Sequence, residues 1–293
     1  MGGLEANLRG VTGMARRPTF GDEPMSRLAA WSGRFALFAL AVAALSIVIV
    51  RSGLLEIEPA LATFAAALIF AALAVLLSFL GFIVIWRQGR SGLGSAILGL
   101  LMGLLLLAYP GYLGYRASKL PAIHDITTDP DNPPRFDVLA RLRPRGSNDY
   151  PGGAVAQAQR SAYPDIAPLQ ESVPPKLAYD VALALVTKRK WHVVDARPPA
   201  VGRREATIEA VARTPIMGFR DDVVIRVSAA GAGARVDMRS ASRYGLHDFG
   251  ANAARIRSLL EDIDDGLSSA PEPRPEPEKP DKKTPPKRQP TKR

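Results

Sequence analysis

The chain has no cysteine and only three histidines among its 293 residues. The first absence excludes disulfides, zinc–thiolate sites, iron–sulfur clusters and thiol nucleophiles, and leaves the redox compartment undetermined. The second means that a histidine-based metal site would have to draw on nearly every histidine present. Charge is missing from long stretches between residues 35 and 115. Sequence that cannot solvate itself over such lengths belongs in lipid or in a large apolar core. A net charge of +10 and a pI near 10.1 invite a nucleic-acid reading, but residues 271–293 hold eight Lys/Arg against four Asp/Glu and supply +4 of that total. No folded part is strongly basic, and the tail has no aromatic residues to stack on bases, so nucleic acid is not an expected partner.

Three apolar runs define the first half: Phe35–Val50 with 16 uncharged residues, Ala60–Trp86 with 27 and Leu93–Tyr115 with 23. The first is shorter than the roughly 20 residues that cross a bilayer, and snorkelling of the flanking Arg34 and Arg51 makes up the deficit. It begins too far from the N-terminus for a signal peptide and has no small-residue cleavage site before Arg51. The spans 35–50, 60–86 and 93–115 are therefore read as three transmembrane helices with the lipid bilayer as partner. Arg9, Arg16, Arg17, Arg27 and Arg34 precede the first span, Arg87 and Arg90 lie between the second and third, and the first loop keeps only Arg51. Positive-inside then places segment 1–34 in the cytoplasm and everything after Tyr115 across the membrane, in a bacterium the periplasm. Span interiors carry no charge, which favours an anchor over a transporter. Gly94, Gly99 and Gly103 give small-residue spacing for close helix contact, within the chain or in a homodimer.

Residues 116–266 read as one soluble domain. From Pro121 to Pro175 the chain holds ten prolines and little periodicity, predicting an extended segment wrapped on the surface. Lys176–Lys190 carries Leu177, Val181, Ala184 and Leu185 at helical spacing behind Pro174 and Pro175. Four strand-like runs follow: Trp191–Ala196, Glu205–Arg213, Asp222–Ala229 and Ala234–Ser242. Ile208, Ala210, Ala212, Val223, Ile225, Val227, Val236 and Met238 alternate with Glu209, Arg213, Asp222, Arg226, Arg235, Asp237 and Arg239. One face is thus expected to be covered and the other open to water. Asp248–Asp265 supplies the second helix, with Asp248 as N-cap and Phe249, Ala253, Ile256, Leu260 and Ile263 on its apolar stripe. The expected fold class is membrane-anchored α+β: three transmembrane helices, then a four-stranded antiparallel sheet covered on one face by two helices. Residues 267–293, rich in Pro, Lys, Arg and Glu, are expected to be disordered, either as a solvated extension or as an electrostatic tether to anionic lipid or cell-wall polymer.

The richest polar cluster is Arg213, Thr214, Arg220, Asp221, Asp222, Arg239, Ser240, Ser242 and Arg243, which a meander can gather at one sheet edge. Guanidinium groups with hydroxyls suit a carboxylate, phosphate or sugar acid. The competing reading is a set of cross-strand ion pairs, for instance Arg213 with Asp222. Ser240 or Ser242 with His247 and Asp248 has the residue types of a hydrolytic triad but no nucleophile elbow, and capping explains Asp248 better. His124 with Asp125 and Asp129 is more readily a turn than a metal site, so neither metal nor cofactor is expected.

The runs Ile123–Asp129, Pro133-Pro134-Arg135-Phe136, Ala162-Tyr163-Pro164-Asp165, Ile208–Thr214, Arg220–Arg226 and Asp237–Arg243, followed by Gly245, Asp248, Gly250, Asn252 and Arg255-Ile256, resemble the DUF1499 family over about residues 120–265. The resemblance implies a domain of unknown function in a bacterial envelope membrane protein. It carries no catalytic residues across. A binding module for an anionic envelope ligand or a partner protein is the first functional expectation. The alternatives are an enzyme on envelope lipid or glycan using Asp221, Asp222 or Ser240, and an accessory subunit of a membrane complex.

Overall fold

The computed structural model describes residues 23–53, 57–143, 147–148 and 153–269. The start of the expected cytoplasmic segment and the tail from residue 270 lie outside these residues. Three helices come first: α1 (Arg27–Ser52), α2 (Ile57–Gln88) and α3 (Leu93–Ala117). All three are long and apolar enough to cross a membrane. The first begins at Arg27 and not at Phe35, because Ser26 caps it and Trp31, Ser32 and Gly33 continue the helix without a break. Its 26 residues reach about 39 Å at the α-helical rise. It ends at Gly53, which adopts the left-handed conformation that glycine accommodates best. The helices pack closely through small residues. A Cβ on Gly99 would stand 2.6 Å from Ser32 Oγ, and one on Gly103 would stand 2.6 Å from Val75 Cγ2, whereas Gly94 faces open space.

The remaining elements are β1 (Asp125–Thr127), α4 (Val138–Leu142), α5 (Gly153–Ala162), β2 (Leu169–Glu171), α6 (Pro175–Lys188), β3 (His192–Arg197), β4 (Glu205–Arg213), β5 (Arg220–Ala230), β6 (Gly233–Ser242) and α7 (Ala251–Ser268). They build one antiparallel sheet in the order β1-β6-β5-β4-β3, with β2 also paired to β6. The sheet has six strands, not the four expected. The two added strands line the outer edge of β6, with Ile126 opposite Ser240 and Gln170 opposite Arg235. Each is only three residues long, too short for alternation to register. They fall in the proline-rich stretch expected to be extended, which also forms α4 and α5. Gln159 of α5 holds β1 in place by accepting from the Thr127 N–H and donating to its carbonyl.

One sheet face carries the expected apolar residues. Ile208, Ala210, Val223, Ile225, Val236 and Met238 pack against Ala178, Tyr179, Ala182 and Val186 of α6 and Ala253, Ile256, Leu259 and Ile263 of α7. The N-cap of α7 is Gly250 and not Asp248. The Asp248 carboxylate nonetheless accepts from the N–H groups of Gly250 and Asn252, so its anion still complements the helix start.

The opposite face departs from expectation. It is not open to water: Glu209, Asp222, Arg226, Asp237, Arg239 and Arg243 are all buried. Residues 128–143 lie across it as a lid containing Pro133, Pro134, Phe136 and α4. The sheet is therefore covered on both faces, by helices on one side and by an ion-paired layer on the other.

Candidate functional site

Alternation divides the polar cluster among three environments. The first is the ion-paired layer under the lid. Asp222 accepts from Arg143 Nε at 2.6 Å and from Arg243 Nε at 2.8 Å. Asp125 accepts from Arg239 Nη2 at 2.7 Å and Nε at 3.0 Å, while Arg239 also donates to the Pro134 carbonyl. The Phe136 ring sits 4.7 Å from the guanidinium carbons of both Arg143 and Arg239. Asp237 binds Arg226 and Arg235, and Arg235 reaches Asp129 as well. Glu209 accepts from the N–H groups of Asp137, Val138 and Leu139 at 2.9, 3.1 and 2.8 Å, capping α4 from across the fold. Burial pushes the Asp125 carboxyl above the usual carboxylate range, against the opposing pull of Arg239. These charges are neutralised in place, so the layer is a structural lock with few groups left to offer a ligand.

The second environment is on the helix side of the same sheet end. Asp221 pairs with Arg255, Ser240 Oγ donates to Asn252 Oδ1 at 2.8 Å, and Arg255 donates to both Ser240 and Asn252. Asn252 Nδ2 donates to Ser242 Oγ and to the His124 carbonyl. Desolvation raises the Asp221 carboxyl, with Arg255 pulling the other way. Asp221 and Asp222 thus point to opposite faces, as neighbours on a strand must. No hydrolytic triad is assembled here: His247 Nδ1 accepts from the Phe249 N–H and its ring stacks on Phe249, away from either serine's bonds.

The third environment is the exposed edge. Arg213 and Arg220 are directly opposite in the β4–β5 register. Thr214 Oγ1 accepts from the Phe219 N–H and closes the β4–β5 loop. That loop rests on the end of α1 and the start of α2. Arg51 Nη1 donates to the carbonyls of Pro215 and Ile216, Arg213 donates to the Arg51 carbonyl, and Met217 packs with Val50 and Ala60. The expected Arg213–Asp222 pair does not form, because Asp222 lies under the lid between Arg143 and Arg243. Among the described residues no carboxylate forms an ion pair with Arg51, Arg213 or Arg220, whereas Arg226, Arg235, Arg239 and Arg243 of β5 and β6 and the segment after it are all paired.

Sequence reasoning did not identify Arg51, Arg143, Phe136, Glu209, Asn252 and Arg255 as parts of these networks. The available signal was the Pro133-Pro134-Arg135-Phe136 run and the near balance of acid and base on the charged face. A cleft of about 310 Å³ opens beside the lid, lined by Arg135, Asp137, Glu205, Thr207 and Arg226 among others. Its two cations face two carboxylates, so it does not select one sign of charge. The His124 cluster supplies no free carboxylates, since Asp125 and Asp129 bind Arg239 and Arg235.

Residues 125–263 match the profile of a family described as "Protein of unknown function (DUF1499)". No curated protein matches the chain. Among solved structures, the chain is similar to CalU16 from Micromonospora echinospora at 15% identity over 34% of this chain and 76% of that one. The TM-score is 0.23, too low to bear on fold or function.

Proposed function

We propose that this chain, whose residues 125–263 match the DUF1499 family of unknown function, is a membrane-anchored module of the bacterial envelope that binds an anionic ligand or partner through an exposed arginine edge. The carrying observation is the contrast between the locked and the unlocked charges. Asp221, Asp222, Arg239, Ser240, Ser242 and Arg243 are engaged in internal bonds, whereas Arg213 and Arg220 face outward beside Arg51 without a counter-ion among the described residues. Exposed guanidinium groups without a carboxylate are suited to an incoming anion.

The anchoring part of the proposal rests on α1, α2 and α3, with the N-terminus cytoplasmic and the domain periplasmic. The arginine distribution bears on the orientation, and the seating of the domain's β4–β5 loop on the end of α1 supports the three crossings, which put that end and the domain on the same side whichever side it is. Alkaline phosphatase fused after Ser269 in the full chain tests this, with activity expected; fluorescence from a cytoplasm-only reporter at the same position would reject it. The enzyme alternative draws on Asp221, Asp222 and Ser240. Nothing in their bonding favours it, because each already serves a buried partner. An unchanged envelope composition on replacing the three by alanine would leave the binding reading in place.

A further inference from the structure

We propose that Arg51, Arg213 and Arg220 form a phosphate site for the headgroup of an anionic phospholipid in the leaflet beneath the domain. This rests on the reading above and names the ligand class of the same edge. Three observations converge. First, Arg213 and Arg220 are like charges directly opposite across two antiparallel strands, an arrangement that destabilises the pair unless an anion bridges it. Second, the chain brings backbone unusually close to them. Gly53 has φ +71, and its missing Cβ would stand 3.0 Å from Arg220 Nη2. The Gly218 position, at φ +74, would clash at 2.8 Å with Arg51 Cγ if it carried a Cβ. Glycines at both points let the end of α1 and the β4–β5 loop close on one another, so that Arg213 reaches the Arg51 carbonyl and Arg220 lies against Gly53 while the Arg51 side chain extends over the loop.

Third, the depth is fixed by the helices. Arg51 ends the uncharged run Phe35–Val50, so its guanidinium lies at the level of the headgroups, where lipid phosphates are the abundant anions. Met217 and Phe219 pack against Val50, Ala60 and Phe64 just below. Ile216 on this loop, and Tyr244 and Leu246 on the β6–α7 loop at the same end of the sheet, expose apolar surface, 76% for Leu246. An arginine set at phosphate height, flanked by exposed apolar side chains, matches the layering of a lipid interface. Paired guanidinium donors suit the phosphate oxygens.

The test uses the full chain purified in mild detergent, with phosphatidylglycerol as probe and native mass spectrometry to count retained lipid. Wild type is expected to retain phosphatidylglycerol over phosphatidylcholine, and R213Q/R220Q to lose about 30-fold in apparent affinity at about 1 kcal/mol per cation removed. Arg220→Gln alone, which removes a side chain without a hydrogen bond to the fold among those described, serves if the double variant does not fold. Equal retention by wild type and a folded variant would overturn the proposal. Stabilisation by inorganic phosphate equal to that by the lipid would show a phosphate site that is not a lipid site, and also overturn it. If Glu56→Gln with Glu58→Gln destabilises as much as R213Q/R220Q and lipid has no effect, the chain's own carboxylates are the counter-ion and the proposal fails. Loss of a different envelope anion on R213Q/R220Q, with phosphatidylglycerol unaffected, would remove the lipid assignment and leave the broader anion-binding reading standing.

Discussion

Arg239→Gln isolates the physics of the ion-paired layer. Arg239 is 7% exposed and is held by two nitrogens to the Asp125 carboxylate, itself 1% exposed. Removing one member of a buried pair costs about 3–5 kcal/mol, because the remaining charge has neither partner nor water. Loss of the guanidinium from the Phe136 face adds about 0.5–1 kcal/mol. Asp125→Asn leaves Arg239 its Pro134 carbonyl and the ring, and the asparagine oxygen still accepts, so a smaller loss of about 2 kcal/mol is expected. The pH dependence separates this account from simple loss of packing. Burial already raises the native Asp125 carboxyl above 3.8, and without Arg239 nothing of comparable strength opposes it. The variant's native state then keeps a proton that the unfolded chain releases. Its stability therefore falls as pH rises, by up to about 1.4 kcal/mol per pH unit. In the wild type the same transition lies at lower pH, so the deficit of Arg239→Gln narrows on acidification from about pH 7.5 towards about pH 5. Urea unfolding of the full chain in detergent reads this through Trp191, which packs beside the domain core, after Trp31 and Trp86 are changed to phenylalanine. A deficit that does not change with pH, or an Asp125→Asn variant as damaged as Arg239→Gln at neutral pH, would refute the reasoning.

Other substitutions probe different layers of the same construction. Glu209→Gln leaves the amide oxygen for the Asp137 and Val138 N–H groups but turns its NH₂ toward the Leu139 N–H, and is expected to cost about 2–3 kcal/mol, with hydrogen exchange rising in residues 137–142 before it rises in β4–β6. Ile225→Ala at the centre of the helix-covered face should cost about 2–5 kcal/mol and raise exchange across the whole sheet; a loss confined to the lid would contradict the assignment of that face as the main core. Gly99→Ala places a methyl 2.8 Å from the Ser32 carbonyl carbon. Overpacking of that kind is worth about 1–3 kcal/mol and should lower the unfolding temperature of the helical unit while sparing the lid and sheet.

Much of the domain was legible because its strands alternate cleanly. Ile208, Ala210, Val223, Ile225, Val236 and Met238 of β4, β5 and β6 pack with α6 and α7, while Val211, Val224 and Ala241 fall on the opposite face with the charges, and the periodic stripe of α7 buries Ala253, Ile256 and Ile263 as their spacing requires. What periodicity cannot register is an element of three residues, and so β1 and β2 were hidden in the proline-rich stretch. They are specified by partners distant in sequence, such as Gln159 clasping Thr127 and the β6 edge receiving both strands.

The charged face exposes a more general limit. Alternation separates two faces of a sheet but does not say which medium each one meets, and a charged face is read as wet by default. Here Glu209, Asp222 and Asp237 alternate with Arg226, Arg239 and Arg243 in near-equal number, and the lid contributes Arg143, Phe136 and the α4 amides to complete the balance. A layer of matched charges can be buried where a layer of one sign cannot. The same parity argument that separates Asp221 from Asp222 also separates Ser240 and Ser242 from Arg239 and Arg243, so a polar cluster contiguous in sequence divides between the two faces once strands are assigned. What remains on the outside is the mismatch at the strand ends, Arg213 opposite Arg220 with Arg51 nearby, cations to which the two layers of the sheet supply no carboxylate among the described residues.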